Sequence, residues 1–242
     1  MLRTPLIKKM DKIPDELWTL IVGGDIEVYR LLVKSCPQFA RLTMVDNSYW
    51  KAIFTRCERD DNGTERWFLA NLLHRENDLP ASIFASGSQE WWMIGKRHRE
   101  GGQPAVILAT GTQEWWIEYK QHRGGDQPAI IRRSGPDEWW FNNMRHREGG
   151  PAVIWGDGTE EWWFNNKLHR EGDLPAVIQP NGIQKWFFNG KLHREGGKPA
   201  IIERDGTQKW FYNGKFHREG GKPAIIRADG FQEWYWNGIH IF

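Results

Sequence analysis

The chain has 242 residues, with 33 Lys and Arg against 31 Asp and Glu, 16 tryptophans and two cysteines, and is long enough to bury a core without a disulfide or metal staple. Cys36 and Cys57 show neither a disulfide framework nor metal-ligand spacing. No apolar run reaches the roughly 20 residues of a membrane span or forms a signal segment, so an intracellular protein is expected.

In chain order, residues 1–10 read as an arm and residues 11–58 as a small helical domain. "DELWTLIV" places Leu17, Leu20 and Ile21 on one helical face, "DIEVYRLLVKS" does the same with Tyr29, Leu32 and Val33, and "DNSYWKAIF" opens on a capping Asp46 or Asn47 before Tyr49, Trp50, Ile53 and Phe54. Three or four such helices make a bundle that is marginal alone. Their order resembles an F-box: the opening Leu-Pro-x-Glu-Leu/Ile appears as "IPDELW" (13–18), the middle motif as "SCPQFARL" with Cys36, Phe39 and Leu42, and the closing motif as "YWKAIF" (49–54). The resemblance covers residues 11–55, and the Gly23-Gly24 pair departs from it. It implies that Ile13, Pro14, Leu17 and Ile21 contact a Skp1-like adaptor. A helical cap on the sheet that follows is the alternative.

From residue 61 to residue 242 the chain repeats. Trp67, Trp91, Trp115, Trp139, Trp162, Trp186, Trp210 and Trp234 head eight units of 24 residues, one shortened to 23 where "REGGPAVI" lacks the residue before proline. Each unit carries two turn signals, Asn-Gly (Asn189-Gly190, Asn213-Gly214) and Asp-Gly (Asp205-Gly206, Asp229-Gly230), both suited to the positive φ of a two-residue hairpin turn. Aromatic and β-branched residues lie between them. The expected fold is therefore mainly β: an N-terminal helical bundle and then an elongated antiparallel meander of eight hairpin repeats, with a β-solenoid as the rival. Gly-Gly-x-Pro interrupts the longer arm and leaves two or three strands per repeat open.

Strict alternation along the aromatic arm puts Trp186 with Phe188, Trp210 with Tyr212 and Trp234 with Trp236 on one face. The opposite face then carries Trp92, Trp116, Trp140, Trp163, Phe187, Phe211 and Tyr235, which is either covered by the curled sheet or a candidate aromatic binding stripe.

All eight histidines share one repeat position, including His74, His98, His122, His146, His169, His193 and His217. Equivalent residues two strands apart lie roughly 9–10 Å from one another, too far to share a metal ion. A general acid or base is needed once, in one pocket, so eight equivalent histidine positions, six of them in a complete His-Arg-Glu and one broken to "HRGG" (122–125), point to a structural ladder rather than an enzyme. In that ladder each Arg is expected to pair with a cross-strand Glu, and each His to meet a backbone carbonyl or a tryptophan face.

The unit resembles the MORN repeat, most closely its variant form with N-G-K-x-H, here "NGKLH" (189–193) and "NGKFH" (213–217). It departs by having Arg after His and a Pro-Ala step. The resemblance implies a β scaffold or binding surface. Residues 61–242 carry 23 Lys/Arg and 23 Asp/Glu, so nucleic acid and membrane surfaces, which need a cationic excess, are not expected partners. An F-box followed by such repeats is similar to proteins of large DNA viruses of amoebae. It implies a non-catalytic adaptor in the host cytoplasm, without a cofactor, that brings a protein client to a ubiquitin ligase. The alternative is a structural component of a virion, contacting capsid or other assembly proteins.

Overall fold

The computed structural model describes residues 55–69 and 71–241. They fall in two compact units, divided after Arg99. The F-box-like segment up to residue 54, with Ile13, Pro14, Leu17 and Ile21, lies outside the described residues. All regular structure among the described residues is β, and every pairing is antiparallel.

In the first unit, β1 (Thr55–Arg59) pairs with β2 (Glu65–Leu69), placing Cys57 opposite Trp67. Residues 55–58, read from sequence as the end of the helical domain, thus belong to a strand. β2 also pairs with β3 (Leu72–Leu73) and β4 (Ser82–Ile83), β4 pairs with β5 (Gln89–Glu90), and β6 (Trp92–Met93) forms a hairpin with β7 (Lys96–Arg97).

The second unit repeats this plan with two-residue strands in two rows. In the first row, Ile201–Ile202 turns back on Gln208–Lys209, which pairs with Ile225–Ile226 of the next repeat. The same alternation links every such strand from Val106–Ile107 to Gln232–Glu233 in one meander. In the second row, Phe211–Tyr212 forms a hairpin with Lys215–Phe216. Its turn touches the preceding hairpin through one backbone–backbone bond, from Gly214 N–H to the Leu192 carbonyl at 2.9 Å. Each repeat therefore contributes four short strands in two hairpins, rather than two or three.

The two turn dipeptides do different work. Asn189 and Gly190 both have positive φ, 50° and 81°, inside a two-residue loop, the mirror-image turn whose twist matches the flanking strands. At Asp205-Gly206 only the glycine has positive φ, 90°. There Glu203 N–H bonds Thr207 O at 2.9 Å across a three-residue loop, and Asp205 Oδ1 accepts the Thr207 N–H at 2.8 Å. The expectation of a two-residue turn holds for the first dipeptide and not for the second.

The first tryptophan of each repeat is the joint between the rows. Trp210 N–H bonds Ala224 O at 2.8 Å in the sheet, while Trp210 O accepts the His217 N–H at 3.1 Å from the small hairpin. This double duty splits the aromatic arm into two strands and ends the alternation assumed from sequence. Trp186 and Trp210 are buried, whereas Phe188 and Tyr212 are exposed. The core is a column of these tryptophans with Ala200 and Ala224, both 0 % exposed, and Ile201 and Ile225.

Candidate binding surface

The loop between the two rows supplies the polar chemistry. After Lys191–Leu192 the chain runs His193-Arg194-Glu195-Gly196-Gly197-Lys198-Pro199, and Gly196 and Gly197 take successive positive φ values of 72° and 66°. This conformation suits glycine, asparagine and aspartate, and Gly172-Asp173 adopts it one repeat earlier at 77° and 55°.

Each arginine that follows a ladder histidine stacks on its own repeat's tryptophan. The guanidinium carbon is 3.7 Å from the ring centre for Arg123 on Trp115, 3.8 Å for Arg194 on Trp186 and 3.7 Å for Arg218 on Trp210. Arg75 and Arg99 stack likewise on Trp67 and Trp91 in the first unit. Nη1 then donates to the carbonyl of the proline that follows, as Arg123 does to Pro128 at 3.1 Å and Arg194 to Pro199 at 3.4 Å. The expected Arg–Glu cross-strand pairing is not what forms. Glu195 and Glu219 lie in the loops rather than on paired strands, and the carboxylate that reaches Arg194 comes from Asp173 of the preceding repeat. Arg194 Nε and Nη2 contact its two oxygens at 2.7 and 3.1 Å. Arg147 grips Asp126, and Arg99 grips Asp78, in the same way.

These pairs set the local electrostatics. Arg194 first and Lys198 second hold the Asp173 carboxyl well below the usual carboxylate range, and Arg147 and Arg99 lower Asp126 and Asp78. Burial alone lowers Arg123 and Arg218 from the ordinary guanidinium value, because no described carboxylate offsets it.

The histidines, one residue before these arginines, are interleaved with the third residue of the aromatic arm. Through the second unit the rings follow in order His122, Phe141, His146, Phe164, His169, Phe188, His193, Tyr212, His217 and Trp236, with centroids 4.5 to 6.5 Å apart in tilted or edge-on contact. The His faces therefore meet these rings and not the tryptophan of their own repeat. Nδ1 of His169, His193 and His217 accepts a long bond, 3.4 Å, from the next hairpin's turn, and His74 accepts one from Ile94 at 3.3 Å. Nδ1 of His98, His122 and His146 is buried without a hydrogen-bond partner.

Phe141, Phe164, Phe188, Tyr212 and Trp236 are each about half exposed, 48 to 54 %. They form the apolar edge that the second unit shows to solvent. The residues read from sequence as the stripe, Trp92, Trp116, Trp140, Trp163, Phe187, Phe211 and Tyr235, are half-buried. Their polar edges are tied to the chain's own glutamates: Trp92 to Glu90 at 2.9 Å, Trp116 to Glu114 at 2.9 Å, Trp140 to Glu138 at 3.0 Å, Trp163 to Glu161 at 2.8 Å, and Tyr235 to Glu233 at 3.0 Å. The exposed edge lies one residue further along, next to the Asn-Gly turn. Its sequence signal was that adjacency, since the last residue before a tight turn has no further strand to cover it.

Among the described residues, no group of three or more His, Cys, Asp or Glu side chains could hold a metal ion, and no helix is long and apolar enough to cross a membrane. Compared with known protein families and curated proteins, the chain matches no family model and no curated sequence.

Proposed function

We propose that this protein is a non-catalytic adaptor in the cytoplasm of a host cell. Its F-box-like segment docks a Skp1-like protein of a ubiquitin ligase, and its repeats hold a protein client. The observation that carries the repeat half is the half-exposed aromatic edge, Phe141 to Trp236, held in register by the intervening histidines. Repetition favours an extended surface over a reaction centre, because every rung offers the same groups. Aromatic rings on stiff two-residue strands supply contact area at low entropic expense, as interface anchors do.

Two measurements test the halves separately. The full chain should co-purify with a Skp1-like adaptor and lose it with Leu17→Asp; equal, poor binding by both forms sinks the ligase half. A photo-crosslinker at Tyr212 should label one client, and Phe188→Ser with Trp236→Ser should abolish labelling while the melting temperature stays within a few degrees. Unchanged labelling would refute the client surface.

A further inference from the structure

The three contacts that fix Asp173 have a counterpart one repeat later. Asp173 is held by Arg194 Nε at 2.7 Å, Arg194 Nη2 at 3.1 Å and Lys198 Nζ at 2.6 Å. Arg218 and Lys222 occupy the same two positions of the next repeat, but Gly197 stands where Asp173 stood.

The rest of the setting is the same. The Trp210 indole N–H bonds Gly197 O at 2.8 Å, as the Trp186 indole bonds Asp173 O at 3.0 Å. Arg218 is stacked 3.7 Å over Trp210 and donates to Pro223 O at 3.3 Å. Its Nε is buried and bonded to nothing, and no ion pair among the described residues involves Arg218 or Lys222. The φ of Gly197, 66°, is near the 55° of Asp173, and a Cβ on Gly197 would meet nothing within 4 Å. A surface cavity of about 490 Å³ opens here, bordered by Gly197, Tyr212, Asn213, His217 and Arg218.

We propose that Arg218 and Lys222 form a receptor for one acidic side chain of the bound protein client, taking from outside the carboxylate that Asp173 supplies internally one repeat earlier. This deepens the platform reading and rests on it. The guanidinium presents a rigid two-donor fork that matches a carboxylate. Stacking and the proline bond fix that fork before any ligand arrives. Tyr212, on the rim of the same cavity, belongs to the exposed aromatic edge, so an aspartate or glutamate next to an apolar residue would meet both groups at once. A single carboxylate is favoured over a phosphate because the occupied counterpart holds a monoanion.

The test uses the arginine side-chain N–H resonances of the full chain, titrated with sodium acetate and separately with inorganic phosphate. Arg218 should shift saturably with acetate in the wild type and in Gly197→Asn, which keeps the shape and the left-handed backbone without a charge. In Gly197→Asp the resonance should start at the shifted position and no longer respond, and the melting temperature should lie about 1–4 °C above that of Gly197→Asn. Arg194, occupied by Asp173, should stay silent throughout. A synthetic peptide of alternating aspartate and leucine should bind at least tenfold more weakly to Gly197→Asp than to Gly197→Asn. An Arg218 that ignores acetate, responds no more than Arg194, or shifts at tenfold lower phosphate than acetate would overturn the receptor. Because acetate binding needs no client, such a failure leaves the platform reading standing, and that reading fails separately in the Tyr212 crosslinking test.

Discussion

Replacing Arg218 with methionine keeps the apolar stem and removes the planar charge. A guanidinium over an indole face is worth about 0.5–2 kcal/mol. A hydrogen bond from a charged donor adds about 1.5–3 kcal/mol; at 3.3 Å to Pro223 O, the Arg218 bond belongs near the lower end. Arg218→Met should therefore destabilise its repeat by roughly 2–3 kcal/mol. Arg194→Met removes the same two interactions and the pair with Asp173, whose side chain is 40 % exposed. An ion pair that open to water contributes only about 0.5–1 kcal/mol. A double-mutant cycle between Arg194 and Asp173 should return that coupling, and Arg218 with Gly197→Ala should return none. The assay is urea denaturation of the full chain combined with amide hydrogen exchange, because stability in a repeat array is distributed locally. An Arg218→Met loss below about 0.5 kcal/mol, the range of ordinary surface substitutions, would show that the stack does not hold the joint together and refute the reasoning.

Three further outcomes follow from the same geometry. Glu118 and Tyr119 take φ values of 47° and 67° in a turn where later repeats place Asn-Asn or Asn-Gly; changing them to Asn-Gly should relieve about 1–2 kcal/mol at each residue, offset in part by removal of the tyrosine ring, and slow exchange in hairpin 116–121. Ala200 is fully buried, so Ala200→Leu should destabilise by about 1–3 kcal/mol through overpacking, read as a lower urea midpoint. Because the Asp173 carboxyl is depressed first by Arg194 and then by Lys198, its contribution is present above the ordinary carboxylate value, about 4, and is lost as pH falls through its lower folded value. The acid-induced drop in melting temperature should therefore be smaller in Asp173→Asn.

The features legible from sequence were those written in local chemistry. The 24-residue period and the Asn-Gly turns, such as Asn189-Gly190, determine where the chain reverses, and no distant contact competes with that. Face assignment failed because it treated residues 184–188 as one strand, whereas Trp186 gives its N–H to the sheet and its carbonyl to the small hairpin, so Phe188 begins a new relation to the core. The arginine partner was hidden by distance: Glu195 is adjacent to Arg194, but the carboxylate that reaches it belongs to Asp173, 21 residues earlier. The stacked Trp186, eight residues back, was visible only once the loop was known to fold over its own repeat.

The indole hydrogen bonds give the array an internal set of gauges. The side-chain N–H of Trp115, Trp139, Trp186, Trp210 and Trp234 bonds a loop carbonyl 13 residues earlier, at 2.8 to 3.2 Å. Each bond spans one boundary between successive repeats. Indole protons resonate apart from backbone amides, so their individual exchange rates would report the opening of each boundary by position, without any label. A ligand gripping two or three neighbouring rungs would then leave its footprint as the contiguous run of tryptophans whose exchange it slows.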